Sequence, residues 1–205
     1  MPTVNNENIA NSRQIYTLLK SNFKAVDNLD VIDFCCGVFD PAGVNYDPKG
    51  DIYQPIVAQY LGQKGLKVTG VDFRQNDPNS KLNYLHRKDI NILDSNWTSK
   101  INLKYDVVIF LRSWDTPEII LDYQKRTNIS DINTLSLIIA QDLIPKFVKL
   151  LKPNGLFITT DIFNLSLFNS GVEANEFEGK LDLLLKSQHL DLVFSSNGLY
   201  GYKIK

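Results

Sequence analysis

Five acids and one glycine stand where this chain could do chemistry. Asp33 lies in Val31-Ile32-Asp33-Phe34-Cys35-Cys36-Gly37, an apolar strand candidate that runs into a glycine. An acid in such a strand with a glycine just beyond it lets backbone approach a bound group closely. A plain tight turn with two small thiols packed beside it has the same appearance. Asp72 closes the second strand candidate, a position from which nucleotide-binding folds accept hydrogen bonds from sugar hydroxyls. Asp89, in Arg87-Lys88-Asp89-Ile90, closes the third, where a carboxylate can reach an amino group on a base. Asp115, in Ser113-Trp114-Asp115-Thr116-Pro117, follows the fourth strand candidate, and Asp161 follows the fifth. Either could serve as a general base or orient a polar substrate, and either could simply be a solvated surface acid. The two histidines read as structural, His86 because it falls within a strand and His189 because it precedes the last two strands, far from the other candidates.

Several chemistries are disfavoured by what surrounds these residues. Cys35 and Cys36 are the only cysteines. Neighbouring cysteines rarely bridge each other, and two thiols do not complete a structural zinc site, so neither a disulfide nor a metal is expected. A reduced, cytoplasmic protein is the expectation from that cysteine usage. Lys and Arg number 22 against 23 Asp and Glu, so the basic excess of a nucleic-acid-binding surface is missing. No apolar stretch is long enough to span a bilayer and residues 1–10 are polar, so no membrane partner and no secretory signal are expected. A nicotinamide dinucleotide site is disfavoured because no Gly-x-Gly-x-x-Gly occurs, and 35 residues rather than roughly 20 separate Gly37 from Asp72. No Gly-Lys-Ser/Thr is present to form a phosphate-binding loop.

The elements that must position the acids can be read from periodicity. Strand-like runs at 31–36, 66–73, 82–87, 105–111 and 156–160 alternate with helical patterns at 51–64, 132–151 and 173–188. Asp51 and Gln54 make a capping-box arrangement for the first of those helices. Nearly continuous apolar strands between helices indicate a parallel sheet covered on both faces. The end of the chain breaks the rhythm: 190–195 and 199–204 flank Asn197-Gly198, the pair that favours a two-residue hairpin turn. Ahead of all this, 12–25 carries Ile15, Tyr16, Leu18, Leu19 and Phe23 at helical spacing. Residues 1–28 thus read as a helical arm and 29–205 as one domain. The least regular stretches, 38–50 and 112–129, each follow a strand's carboxyl end, the edge where open α/β sheets bind ligands.

In this order the features resemble the class I S-adenosylmethionine-dependent methyltransferases. The likeness runs from about Leu29 to Lys205. It is carried by the acid-plus-glycine turn at Asp33 and Gly37, Asp72 ending the second strand, Asp89 after the third and the apolar fourth strand. Lys152-Pro153-Asn154-Gly155 before the fifth strand and the terminal hairpin complete it. The family's first turn has three glycines, and here those places hold Cys35, Gly37 and Phe39. The resemblance implies an α/β, Rossmann-like three-layer sandwich with a mostly parallel seven-stranded sheet ending in an antiparallel hairpin. It implies S-adenosylmethionine as cofactor. Asp33, Cys35 and Gly37 would lie at the methionine moiety, Asp72 at the ribose, and Phe73 against the adenine. Asp89 and the Ile90 backbone would lie at the adenine amino group, and Leu111 near the transferred methyl. Asp115 or Asp161 would serve the acceptor. The Asn/Asp-Pro-Pro-Tyr motif of amino-methylating nucleic-acid enzymes is absent, so a small-molecule acceptor is the expectation, roofed by 12–25 and 112–129. A catalytically silent binding module on the same fold is the alternative.

Overall fold

The computed structural model describes residues 3–37, 55–76, 80–111, 114, 116–160 and 171–205, with side chains from residue 9 and, in the last stretch, from residue 175. Seven strands form one sheet: β1 (Asp30–Phe34), β2 (Lys67–Val71), β3 (Leu85–Arg87), β4 (Tyr105–Phe110), β5 (Leu151–Thr160), β6 (Leu190–Ser196) and β7 (Leu199–Ile204). Their order is β3-β2-β1-β4-β5-β7-β6. The pairs β1–β2, β1–β4, β2–β3 and β4–β5 are parallel, and β7 is antiparallel to both its neighbours. The predicted Rossmann-like sheet and its closing hairpin are present. Asn197 and Gly198 take φ values of 51° and 72°, the doubly left-handed pair that a type I′ turn needs.

Successive side chains of each strand face opposite layers. Ile32, Phe34, Val108, Phe110 and Phe157 turn toward α3 (Pro117–Thr127), α4 (Ile132–Val148) and α5 (Gly171–Ser187), where Phe147 is the hub of an aromatic cluster. Val31, Val107, Ile109, Leu156 and Ile158 turn toward α1 (Thr3–Asn22) and α2 (Ile56–Gln63). Asp33 sits on this second face, beneath the first turn of α2. The first helix of the alternating pattern begins later than its periodicity suggests. Pro55 occupies the N-cap of α2 without a side-chain cap, while Asp51 and Gln54 lie outside the described residues.

The N-terminal helix belongs to the covering layer. Ile15, Leu18 and Leu19 are buried against the sheet. Leu18 comes so close to β7 that a Cβ at Gly201 would stand 2.8 Å from its methyl group. The chain leaves α1 at Asn22 and enters β1 at Asp30, so α1 runs back toward the amino edge of the sheet. At 1.5 Å per residue its 20 residues are about 30 Å long, against about 16 Å for the five of β1. The helix is therefore about twice as long as that strand.

The stretch 112–129 is not the irregular segment that was predicted, because most of it is α3. Pro117 starts this helix at a position that needs no N–H, and Asn128 ends it in the left-handed region at φ 57°. Ile119 and Tyr123, four residues apart, bury one face of it. Trp114, just before this helix, is also core. Its indole N–H donates to Thr159 Oγ1 at 2.7 Å, and its ring meets Phe110 edge-on at 4.7 Å.

Candidate functional site

The carboxyl ends of β1 and β2 meet at Asp72. The turn after β1 begins with Cys35 at φ 55°, a left-handed conformation that costs a non-glycine residue roughly 1–2 kcal/mol. The glycine-like backbone is thus kept although the side chain is not glycine. Gly37 follows at φ 86°, and its N–H donates to Asp72 Oδ2 at 3.1 Å. On the other side, the Arg74 N–H donates to Asp72 Oδ1 at 3.1 Å. The Asp72 carbonyl lies 3.0 Å from His86 Nε2, which ties in β3 and gives that histidine its structural role. Asp72, only 4% exposed, therefore ties three strand ends together, its carboxylate holding the turns after β1 and β2 and its backbone carbonyl meeting β3.

Two arginines sequence reasoning did not single out complete the picture. Arg74 grips Asp72 with both arms of its guanidinium, Nε to Oδ1 at 2.8 Å and Nη2 to Oδ2 at 2.7 Å. Arg87 grips Asp89 the same way, both contacts at 2.7 Å. The only sequence signal was spacing, an arginine two residues from each acid. The surroundings differ. Asp72 is buried, whereas Asp89 is exposed, with Arg87 holding its carboxyl down to about 2.

Asp33 is 3% exposed, and no cation pairs with it among the described residues. Burial first, and then the negative charge of Asp72, push its pKa up to about 8, while the Ala58 backbone amide pulls the other way. The Cys36 thiol is raised well above its ordinary range, by burial first and then by Asp33 and Asp72. The two cysteines turn to opposite faces of the sheet, Cys35 toward the aromatic cluster and Cys36 toward α2.

Asp33, Cys35, Gly37 and Asp72 thus come together in one small region. Phe73 projects from it, 58% exposed, which rules out ordinary core packing for this ring. Asp89 belongs to a neighbouring group with Arg87 and Lys100, whose ammonium donates to the Asp89 carbonyl at 2.8 Å. The Ile90 side chain is buried beside Trp97, leaving only its backbone for any ligand. Leu111, just past β4, is half-buried at the same edge. Asp115 and Asp161 lie outside the described residues. The described cavity of about 400 Å³ lies at the opposite edge, among Asp30, Leu66, Tyr84 and Tyr105, and none of the predicted site residues lines it.

The donors and acceptors at the carboxyl edge suit an adenosyl cofactor. They offer an acid held by two backbone amides for hydroxyls, a flat exposed ring for a purine, and an unpaired buried carboxyl for a cationic group. Among the described residues, no cluster of three or more His, Cys, Asp or Glu could hold a metal ion, and no helix is long and apolar enough to cross a membrane. No family model matches the sequence, and no curated protein matches it either.

Solved structures do resemble it. The magnesium protoporphyrin IX methyltransferase of Synechocystis PCC 6803, solved with bound S-adenosylhomocysteine, has a TM-score of 0.53 at 13% identity, covering 100% of this chain and 89% of that one. The chain has the class I methyltransferase fold. A Streptococcus mutans protein assigned to the SAM-dependent methyltransferases gives 0.53 at 13% identity, covering 94% of this chain and 48% of its own. The methyltransferase of the mycinamycin biosynthetic pathway gives 0.52 at 14%, covering 87% and 46%. This chain spans about half the length of those last two.

Proposed function

We propose that this protein is an S-adenosylmethionine-dependent methyltransferase that passes a methyl group to a small-molecule acceptor by direct in-line displacement. The observation that carries this is the joining of Asp33, Gly37 and Asp72 at the carboxyl ends of adjacent parallel strands in this fold. When bound, the cofactor supplies an electrophilic methyl group on a sulfonium. Asp72 accepts the ribose hydroxyls, Phe73 lies against the adenine, and Asp89 with the Ile90 backbone meets the adenine amino group. Asp33, Cys35 and Gly37 surround the methionine end, with the Asp33 carboxyl facing its positive charge. Leu111 borders the reacting methyl. By their positions after the fourth and fifth strands, Asp115 and Asp161 are the carboxylates assigned to orient the acceptor or take its proton. A small-molecule acceptor agrees with the balanced charge of the chain and with two similar structures named for magnesium protoporphyrin IX and the mycinamycin pathway.

A silent binding module on the same fold is the second reading, favoured by Cys35 standing in a glycine place and by Arg74 already filling Asp72. Replacing Asp72 by Ala tests the shared part of both. Loss of hydrogen bonds to a charged acceptor is expected to weaken S-adenosylhomocysteine binding by about 1.5–3 kcal/mol. Equal affinity in Asp72→Ala and the parent contradicts the assignment.

A further inference from the structure

A carboxylate offers about four acceptor positions, and on Asp72 all four are taken. The Gly37 and Arg74 amides fill two, each at 3.1 Å. The Arg74 guanidinium fills the other two, at 2.8 and 2.7 Å. The backbone donors are fixed by the turns that follow β1 and β2. The guanidinium sits on a flexible side chain that is 25% exposed, so it alone can leave without refolding a turn. A guanidinium fork and the vicinal diol of a ribose make the same demand, two side-by-side donors to the two oxygens of one carboxylate. No ribose can be read by Asp72 while the fork is in place.

Resting on the assignment of Asp72 as the ribose acceptor, we propose that Arg74 is a built-in stand-in for the ribose diol, a latch that holds the site shut and is displaced when a riboside binds. Opening the latch has an electrostatic consequence. Among the described residues Arg74 is the one cation paired with Asp72, so its departure leaves that buried carboxylate without a counter-charge beside Asp33 in a dry site. A neutral riboside replaces only the hydrogen bonds. A riboside that also carries a positive charge replaces both the bonds and the cation. The latch therefore selects charged adenosyl compounds over plain nucleosides, a discrimination that Asp72 alone does not supply.

Arg74→Lys tests this, because lysine keeps the charge and loses the fork. Calorimetric titrations of the parent and Arg74→Lys with S-adenosylhomocysteine, adenosine and 2′,3′-dideoxyadenosine are compared. The expected result is about tenfold tighter binding of S-adenosylhomocysteine and adenosine by the variant, because a larger share of molecules is open, with no gain for the dideoxynucleoside. Weaker or unchanged S-adenosylhomocysteine binding overturns the latch, as does an equal gain for both nucleosides. Failure of both proteins to bind S-adenosylhomocysteine overturns the cofactor assignment and the latch with it. Should the variant not fold, the Arg74 Nε–H resonance of the parent decides. It is expected to be protected in the free protein and to lose that protection at saturating S-adenosylhomocysteine, and an unchanged resonance overturns the proposal.

Discussion

Two clusters, one at each edge of the sheet, are built from the same parts, two aspartates and one base, and they come out differently. At the amino edge, the Lys152 ammonium donates to Asp30 Oδ2 at 2.6 Å and to Asp106 Oδ2 at 2.9 Å. Asp106 also accepts the Asp30 backbone N–H at 2.8 Å. One lysine serves both acids because it has three donors, and water reaches every member, with side chains 36%, 41% and 21% exposed for Lys152, Asp30 and Asp106. At the carboxyl edge Arg74 grips Asp72 with Nε and Nη2, and among the described residues the buried Asp33 has no cation. The first cluster is closed and joins the starts of β1, β4 and β5. The second leaves one buried carboxyl without a cation among the described residues and holds its pKa up to about 8, and that perturbed acid marks it as the edge that expects a ligand.

The difference can be tested most forcefully through Asp33. In the folded protein it keeps its proton up to about pH 8, whereas in the unfolded chain it releases it near pH 4. Between those values the unfolded state binds fewer protons, so stability is expected to fall as pH rises, by at most about 1.4 kcal/mol per pH unit, and to level off above 8. Urea unfolding at pH 5, 6.5 and 8 should show this decline in the parent and its loss in Asp33→Asn. A parent whose stability rises across that range would place a cation beside Asp33.

The amino-edge cluster should respond more mildly. Lys152→Met is expected to cost about 1 kcal/mol or less, because partly exposed ion pairs are weak and screened by salt. Its affinity for S-adenosylhomocysteine should match the parent's, and a shared loss would mean that the two edges are coupled. The smallest effect is expected at Asp89. Its exposed carboxylate exchanges a ligand amino group for water, so Asp89→Asn should change S-adenosylhomocysteine affinity by less than about threefold. A loss as large as that of Asp72→Ala would move the centre of recognition to the third strand.

The strands, their parallel order and the terminal hairpin were legible because they rest on local rules, apolar runs for buried strands and Asn197-Gly198 for the turn. The helix α3 was signalled too, by Pro117 and by Ile119 and Tyr123 four residues apart, but the charges around them read as an open loop. Lys152-Pro153-Asn154-Gly155 was expected to precede its strand. It lies within β5 instead, as an irregularity in the pairing with β4, with Asn154 at φ 62°. Its lysine serves the amino-edge bridge and lies away from the site. Asp33, Gly37 and Asp72 were legible from their order along the chain. The grip of Arg74 on Asp72 was not, because it depends on side-chain conformations that no spacing rule encodes.

The most direct measurement is a calorimetric titration of the intact chain with S-adenosylmethionine, S-adenosylhomocysteine and NAD. One site for each adenosyl compound, weakened in Asp72→Ala, and no binding of NAD is the expected result. Tight binding of NAD, or no heat with either adenosyl compound, would contradict the assignment of the carboxyl edge as an S-adenosylmethionine site.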